Sequence, residues 1–115
     1  MIYKEKTVSS EKIFEGRIIK VKVDKVEMPD GSVATRELVE HPGGVGIVAI
    51  TENDEIILVE QYRKPLDKVI YEIPAGKLDP GEHHRTCGIR ELGEETGLSA
   101  KVFDYMGFIY PSPGF

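Results

Sequence analysis

The sequence predicts a protein of the mixed α/β (α+β) class, built from short strands and one acidic helix. Ile19, Val21 and Val23 alternate with charged residues, which is the period of a half-buried strand. Short apolar runs typical of buried strands follow at residues 45–50, 56–59 and 69–73. If residues 90–96 are helical, their three glutamates lie on one stripe of surface. The switch between these two periods indicates the mixed class.

The first forty residues favour a β-hairpin. Pro29-Asp30-Gly31 is a turn signal, and a second strand returns from Val33 to Val39, so residues from about 17 to 40 pair with each other. The alternation of the first strand slips by one step, which predicts a bulge or a strand break near Lys25. We expect this hairpin to form an arm in front of the main domain.

The acidic helix has an apolar face and a defined end. Ile89, Leu92 and Thr96 lie roughly opposite the carboxylates, so we expect them to pack on a sheet. Gly97 is expected to end the helix as a left-handed cap. One or two further strands are predicted from Val102 to Tyr110.

Composition and length exclude several classes of protein. The chain has 115 residues and a mass of 12.9 kDa, enough for one core. Its net charge of -5, without a basic stripe, disfavours nonspecific binding to nucleic acid. Cys87 has no second cysteine to pair with, and no apolar run approaches the roughly 20 residues of a membrane span or begins like a signal peptide. We therefore expect a cytoplasmic protein that binds neither nucleic acid nor membrane.

Glu91, Glu94 and Glu95 form a candidate cation site. Three carboxylates in one stripe repel one another, and a hard divalent ion would neutralise them. Mg²⁺ prefers oxygen ligands and is usually held by one or two carboxylates together with substrate phosphates. Arg90 can pair with Glu94 at the i, i+4 spacing, which leaves Glu91 and Glu95 available for the metal. The alternatives are a helix face that is only solvated and a zinc site at Cys87, for which the chain has too few ligands.

The loop before this helix completes a known pattern. A tight-turn signal, Asp79-Pro80-Gly81, separates an apolar strand from the helix. The fixed positions are Gly76, then Glu82 after five residues, Arg90-Glu91-Leu92 after seven, Glu94-Glu95 after one and Gly97-Leu98 after one. Together they fill the Nudix box, a match far more specific than a lone glycine motif. The chain therefore resembles the Nudix hydrolases, which cleave nucleoside diphosphates linked to another group.

The resemblance implies a fold and a metal site. Nudix proteins form an α/β/α sandwich, in which a mixed sheet is covered by the box helix on one side and by a later helix on the other. The cofactor is implied to be Mg²⁺ or Mn²⁺, which holds a water in line with one phosphorus and stabilises the leaving phosphate without a covalent intermediate. By position, the implied metal ligands are the Ala75 carbonyl, Glu91 and Glu95, with Glu94 close by and Glu82 supporting the loop or an additional metal. The implied catalytic residues are Arg90, Glu91, Glu94 and Glu95.

Four further segments resemble the ADP-ribose pyrophosphatase branch of this family. They are RELVEHPG (36–43), EQYRKP (60–65), YEIPAGKLD (71–79) and SPGF (112–115). A proline about sixteen residues beyond the box marks this branch, and Pro113 lies sixteen residues after Gly97. The implied substrate-binding residues are Arg36, Glu37, Arg63, Gly76, Ser112 and Pro113.

Two arginines of this set are expected to contact the substrate. Arg63 can grip a diphosphate through a bidentate contact that lysine cannot reproduce. The branch exchanges its arm between two subunits, so the resemblance implies a homodimer in which Arg36 and Glu37 serve the partner's site. The alternative for both arginines is ordinary charge at a strand edge.

The same resemblance predicts how the chain is divided. Residues 1–42 are expected to form the β arm for dimerisation and substrate contacts, and residues 43–115 the Nudix domain. Relatives are expected to continue for some tens of residues, so the second covering helix and a catalytic glutamate would lie beyond this chain. One sheet face would then meet water, and each buried valine or isoleucine left exposed forgoes roughly 1.5 to 3 kcal/mol. We expect metal binding with weakened or absent hydrolysis.

Three hypotheses about function follow. In the first, the protein hydrolyses the diphosphate linkage of ADP-ribose to AMP and ribose 5-phosphate. In the second, the chemistry is the same and the substrate is a nucleotide sugar, a dinucleoside polyphosphate or an oxidised nucleotide. In the third, the chain is an inactive Nudix module that binds a nucleotide or a protein. The intact carboxylate motif argues against the third, because binding alone gives no reason to hold three like charges together.

Overall fold

The computed structural model describes residues 2–114, which fall into two compact units. Residues 2–41 and 108–114 belong to the first unit, and residues 42–107 form the second. The expected mixed α+β class is confirmed, because strands and one helix account for the regular structure of the described residues.

The first unit is built on a three-stranded antiparallel sheet. Its strands are β1 (Lys6–Glu15), β2 (Lys20–Glu27) and β3 (Val33–Glu40), in the order β1-β2-β3. The β2–β3 pair is the predicted hairpin, and Gly31 takes a left-handed conformation (φ 81°) in its turn. Strand β1 was not predicted, because all ten of its residues are exposed and its sequence carries no apolar alternation.

The predicted bulge near Lys25 is confirmed in position, although it lies on the partner strand. The β1–β2 ladder shifts register between Thr7 and Ser9, which pair with Val26 and Lys25, whereas β2 pairs with β3 without interruption from Lys20 to Glu27. Strand β2 is the central strand of the sheet and pairs with a neighbour along both of its edges. Asp24 is buried there, and its Oδ1 accepts a hydrogen bond of 2.6 Å from the Ser10 hydroxyl.

The second unit contains two short antiparallel strand pairs and one helix. Strands β4 (Gly44–Gly46) and β7 (Ala75–Lys77) pair with each other, as do β5 (Val59–Arg63) and β6 (Lys68–Glu72). A 3₁₀ turn, Lys64–Leu66, connects β5 to β6. All of these named pairs are antiparallel, so within residues 2–114 the named strands form no parallel pair of a mixed sheet.

The apolar runs at 45–50 and 56–59 are less regular than predicted. Beyond β4 they form an irregular hairpin with an isolated bridge between Ile50 and Ile56, and the amide of Ile57 donates to the carbonyl of Ala49 at 3.0 Å. Ile47 is buried whereas Ile50 is 66% exposed, so one face of this run meets water, as expected.

The predicted strands between Val102 and Tyr110 are wrong. This segment forms neither a helix nor a strand, and most of its large apolar side chains are exposed, Met106 and Ile109 at 83%. An extended apolar segment becomes a strand only when another strand pairs with it, and alternation alone does not supply that partner.

Helix α1 (His84–Thr96) begins six residues before the predicted helical stretch of residues 90–96. Its end is as predicted, since Gly97 is a left-handed cap (φ 73°) whose amide donates to the carbonyl of Gly93 at 2.9 Å. Leu92 is buried as expected, but Ile89 is half exposed, so its predicted packing on a sheet is wrong. The core of this unit is small, with Ile47, Cys87 and Leu92 among its buried side chains.

No helix among residues 2–114 has the length and apolar character needed to cross a membrane.

Candidate active site

The loop between β7 and α1 is held in place by its own backbone and by Glu82. The amide of Glu82 donates to the carbonyl of Asp79 at 3.0 Å, which closes the predicted tight turn, and Gly81 takes a left-handed conformation (φ 74°) within it. In return, Oε1 of Glu82 accepts from the amide of Asp79 at 3.1 Å. The side chain of His83 then caps the helix, because its Nδ1 accepts from the amide of Arg85 at 3.2 Å.

Arg90 is the central charge of this loop and helix. Its Nε donates to Oε2 of Glu82 at 2.9 Å, and its Nη2 donates to Oε1 of the same carboxylate at 2.8 Å. Its Nη1 donates to Oε1 of Glu91 at 2.9 Å and lies 3.3 Å from Oε2 of Glu94. One guanidinium therefore contacts three carboxylates and offsets part of their charge, and the side chains of Glu82 and Glu91 are only 10% and 13% exposed.

The pKa of Glu82 responds strongly to this arrangement. The hydrogen bonds from Arg90, with a further one from the Asp79 amide, lower the pKa of this carboxyl from 4.5 to about 2. The same contacts raise the pKa of Arg90. Glu82 therefore stays ionised over the whole physiological range and supports the loop, which was one of its two predicted roles.

Arg90 was expected to pair with Glu94 and to leave Glu91 and Glu95 available for a metal, and this expectation is partly wrong. The predicted i, i+4 pair between Arg90 and Glu94 is present, but it is longer than the pairs that Arg90 makes with Glu82 and Glu91. Glu91 accepts a hydrogen bond from Arg90, so its carboxylate is not free of an ion pair. Sequence reasoning missed this because Glu82 and Glu91 approach Arg90 from a loop and from the neighbouring helix position, neither of which the i, i+4 rule covers.

Glu91 lies directly against strand β7 at Gly76. A Cβ atom built on Gly76 would stand 1.9 Å from Cδ and 2.1 Å from Oε1 of Glu91, which is well inside van der Waals contact. Only glycine at this position gives the Glu91 carboxylate its space. The predicted site residue Gly76 and the predicted metal ligand Glu91 are therefore in contact.

Glu95 contacts the residue next to Gly76 on the same strand. Its Oε2 accepts from the amide of Ala75 at 3.2 Å, and its Oε1 accepts from Nε2 of Gln61 at 3.1 Å. Ala75 faces Gly46 in the β4–β7 ladder, one position along from the hydrogen-bonded pair that Ile47 forms with Pro74. Hydrogen-bonded and non-hydrogen-bonded positions alternate along an antiparallel ladder, so Ala75 lies at a non-hydrogen-bonded position. Its amide and carbonyl therefore both point away from β4, toward the side where Glu95 lies.

Arg63 lies at the end of β5, close to this carboxylate. Its Nε and Nη2 donate to the two oxygens of Glu72 at 2.8 and 2.6 Å, a bidentate pair. The bonds to Glu72 raise the pKa of Arg63, and the negative charge of Glu95 adds to this effect. The structure thus brings the predicted substrate-binding residue Arg63 within electrostatic reach of Glu95.

Two polar residues of this region were missed or undervalued by sequence analysis. Gln61 and Glu72 were not among the predicted site residues. The alternation along β5 is the signal that could have found Gln61, since it lies two residues before Arg63 and so faces the same side of the strand. No local pattern indicates that this side meets α1, where the contact residue Glu95 lies 34 positions further along the chain.

The donor atoms fit a hard divalent cation, although their arrangement is not a ready-made metal site. As arranged among residues 2–114, no group of three or more His, Cys, Asp or Glu side chains could hold a metal ion. The oxygens of Glu91, Glu95 and the Ala75 backbone are nevertheless the ligand type that Mg²⁺ prefers, and both carboxylates reach neighbouring residues of β7. A cation held by Glu91 would compete with Arg90 for one oxygen of that carboxylate.

Four of the predicted substrate-binding residues belong to the first unit, namely Arg36, Glu37, Ser112 and Pro113. Arg36 on β3 donates from Nε to Oε2 of Glu5 at 3.0 Å and from Nη2 to the other oxygen of the same carboxylate. Glu37 is exposed on the neighbouring position. Ser112 and Pro113 are exposed. Their roles, and those of Arg36 and Glu37, stay predictions.

Comparison with known proteins assigns the chain to a family. The family model for the NUDIX domain matches residues 40–115, and a model described as the nucleoside diphosphate sugar hydrolase N-terminal domain matches residues 5–39. The first match covers well over half of the chain, and the box residues lie on the loop and helix described above. The chain belongs to the Nudix family, whose hydrolases generally depend on divalent metal ions.

Individual relatives and a solved structure agree with this assignment. The chain is 50% identical over 114 residues to the methanol dehydrogenase activator of Bacillus methanolicus, and 49% identical over 111 residues to the ADP-ribose pyrophosphatase of Bacillus subtilis (strain 168). These alignments cover 99% and 96% of this chain but only 62% and 60% of the relatives. A crystal structure of an ADP compounds hydrolase superposes with a TM-score of 0.77 at 27% identity, covering 89% of this chain and 56% of that one. The chain thus spans about three fifths of the length of these relatives.

Proposed function

We propose that the protein hydrolyses the diphosphate linkage of ADP-ribose, giving AMP and ribose 5-phosphate. The observation that carries this proposal is the placement of the Glu91 and Glu95 carboxylates against consecutive residues of β7, Gly76 and Ala75. The relatives support the choice of substrate, since those of B. subtilis and Mycobacterium tuberculosis, at 49% and 43% identity, are named ADP-ribose pyrophosphatase.

The cation of this proposal is Mg²⁺, with Mn²⁺ as its substitute. Glu91, Glu95 and the Ala75 carbonyl would hold it, and Glu94 stands close by on the exposed side of α1. The chemistry that a bound divalent cation supplies here is neutralisation of the diphosphate and of the charge that develops on the leaving phosphate. Glu82 does not need to contact it, because Arg90 already satisfies that carboxylate.

Arg90 and Arg63 would position the site and bind the substrate. Arg90 holds the loop against α1 through Glu82, so that Gly76 and Glu91 keep their contact. Arg63 presents a planar guanidinium suited to the diphosphate, and Glu72 holds it in a fixed direction until the substrate arrives. Hydrolysis needs only positioning and charge stabilisation of this kind.

The proposed assembly is a homodimer formed through the N-terminal arm. Strand β1 lies at the edge of its sheet, and its apolar side chains at Ile13 and Phe14 are more than half exposed. An exposed ten-residue edge strand is a template for pairing with another chain. Light scattering after size-exclusion chromatography should give twice the monomer mass, and replacement of both apolar residues by lysine should give the monomer mass.

The proposed compartment is the reducing cytoplasm. Cys87 is the single cysteine of the sequence and is fully buried, with burial raising the pKa of its thiol. Such a thiol is unreactive and has no structural disulfide to form, which suits an environment that keeps thiols reduced.

A substrate panel tests the proposed activity. The protein is incubated with Mg²⁺ and, separately, ADP-ribose, a nucleotide sugar, a dinucleoside polyphosphate and an oxidised nucleoside triphosphate, and products are separated by chromatography. AMP released chiefly from ADP-ribose is the expected result. Equal turnover of nucleoside triphosphates would favour the second hypothesis, and binding of ADP-ribose without turnover would favour an inactive binding module.

A second candidate function comes from one relative. The relative from Bacillus methanolicus, which is 50% identical to this chain, is named a methanol dehydrogenase activator. Its alignment covers 99% of this chain. If this chain shares that function, adding it to a purified methanol dehydrogenase should raise the rate of methanol oxidation. Measuring that rate with wild-type protein and with the Glu95→Gln variant would also show whether any activation depends on the proposed site.

A further inference from the structure

Gln61 connects strand β5 to the carboxylate of Glu95. Its side chain is half buried, and its Nε2 donates to Oε1 of Glu95 over 3.1 Å. The two residues lie 34 positions apart in sequence, on the β5–β6 pair and on α1. This contact is not part of the Nudix box and was not predicted from the sequence.

Both oxygens of Glu95 are therefore held, and from two different strand pairs. Gln61 holds Oε1 from β5, and the amide of Ala75 holds Oε2 from β7 at 3.2 Å. A glutamate with only one oxygen bonded can still rotate about its terminal torsion, which is broad and weakly restricted. Two donors on opposite oxygens remove this freedom and give the carboxylate one orientation.

The type of donor distinguishes Glu95 from its neighbours. Glu82, Glu91 and Glu94 all contact the guanidinium of Arg90, whose single charge they share. Gln61 and the Ala75 amide are neutral donors, so Glu95 is oriented without ion pairing, and each of its oxygens keeps a further lone pair. An oriented carboxylate whose charge is not cancelled by a direct ion pair is the form in which a cation ligand is most effective.

From this geometry we infer that Gln61 is a positioning residue, which fixes the Glu95 carboxylate for a divalent cation. The inference rests on the proposed function in one respect, namely that Glu95 binds the cation of the hydrolase. It goes further in assigning a role to a residue outside the box. A purely structural role for Gln61, tying β5 to α1, would affect stability alone and would leave cation affinity unchanged.

Cation binding is the test, because it does not depend on turnover. Mn²⁺ is titrated into the wild-type protein and into Gln61→Met, which keeps the length of the side chain and removes the donor, and free Mn²⁺ is counted by electron paramagnetic resonance. Residues that orient a metal ligand typically contribute about 10- to 100-fold in affinity, so the dissociation constant for Mn²⁺ should rise about tenfold or more. Tyr62→Phe is the matched control, because Tyr62 lies next to Gln61 on β5, points to the opposite face and bonds Asp67.

Measurements of folding and of Mn²⁺ occupancy show whether a change in affinity comes from the loss of the Gln61 donor. Thermal melting without cation shows whether each variant folds, and Gln61→Thr, which is too short to reach Glu95 and suits a strand, replaces Gln61→Met if the latter does not. Raising the Mn²⁺ concentration should restore the cation occupancy of a correctly folded variant. A folded variant that binds Mn²⁺ as tightly as wild type would overturn the inference, and so would a wild-type protein that binds no Mn²⁺.

The outcomes separate this inference from the proposed activity. If the wild-type protein binds Mn²⁺ and Gln61→Met weakens that binding, Gln61 positions Glu95 even when no diphosphate compound is hydrolysed, and only the proposed function fails. If ADP-ribose is hydrolysed while Gln61→Met and wild type have the same affinity for Mn²⁺, the proposed function stands and the role of Gln61 fails.

Discussion

Arg90 and Glu82 form a bidentate ion pair, in which two nitrogens of the guanidinium donate to the two carboxylate oxygens at 2.9 and 2.8 Å. Glu82 lies in the loop and Arg90 on the helix, so this pair joins the two parts of the candidate active site. It also accounts for the largest lowering of a carboxyl pKa that the structure shows, to about 2 for Glu82. The consequences for stability can be measured.

Acid stability should depend on Glu82. Because its pKa in the folded protein is lowered from 4.5 to about 2, the pair stabilises the fold fully above pH 4.5 and progressively less as the pH falls toward 2. Glu82→Gln should therefore lower the melting temperature at pH 7 and flatten its decline between pH 4.5 and 2, as measured by circular dichroism. Glu52→Gln removes an ion pair whose two side chains are about 90% exposed and should leave the profile unchanged. A Glu82→Gln profile parallel to that of wild type would contradict the prediction.

Gly76→Ala should separate activity from stability. The added Cβ would overlap the end of the Glu91 side chain, which can rotate away, so the fold should survive while the carboxylate leaves its place. We expect ADP-ribose hydrolysis to fall by about tenfold or more, as for a displaced metal ligand, with little change in melting temperature. Gly93→Ala is the control, since its Cβ meets nothing closer than 4.0 Å and alanine stabilises an exposed helix position by roughly 0.5–1 kcal/mol. Equal activities of the two variants would argue against a role for the contact between Gly76 and Glu91.

Removal of either proposed ligand carboxylate should abolish most of the activity. Glu91→Gln and Glu95→Gln keep side-chain size and lose the charge that a cation requires. In a protein extended past Phe115, each should lower kcat/KM for ADP-ribose by on the order of 10²-fold. The measurement is the initial rate of AMP release over a range of Mg²⁺ concentrations. Glu52→Gln again serves as the control, and wild-type rates in both ligand variants would refute the site.

Arg63→Lys should weaken substrate binding. Lysine keeps the positive charge but cannot form the two parallel hydrogen bonds that Arg63 now makes with Glu72 and would make with a diphosphate. We expect KM for ADP-ribose to rise by about tenfold, corresponding to roughly 1.4 kcal/mol, with a smaller change in kcat. Lys64→Gln, at a position with an 82% exposed side chain, is the control. An unchanged KM in Arg63→Lys would assign Arg63 to the strand-edge alternative.

Local rules predicted part of the candidate site correctly. The turn at Asp79, the left-handed cap at Gly97 and the presence of Glu91, Glu94 and Glu95 on one helix all follow from short-range geometry, and the structure contains each of them. Strand β1 and the segment from Val102 to Tyr110 were predicted wrongly or not at all. In both cases the deciding factor was whether another strand was available to pair, which is not a local property.

By itself, the sequence determined which residues share a helix face, because the period of an α-helix is constant and three or four positions always bring side chains together. It also determined where the loop turns, since glycine and proline restrict the backbone locally. Only the tertiary structure decided which partner each acid meets: Arg90 for Glu82 and Glu91, and Gln61 for Glu95. The reason is that a contact such as Gln61 with Glu95 depends on how two strand pairs and a helix pack, and no period in the chain encodes that arrangement.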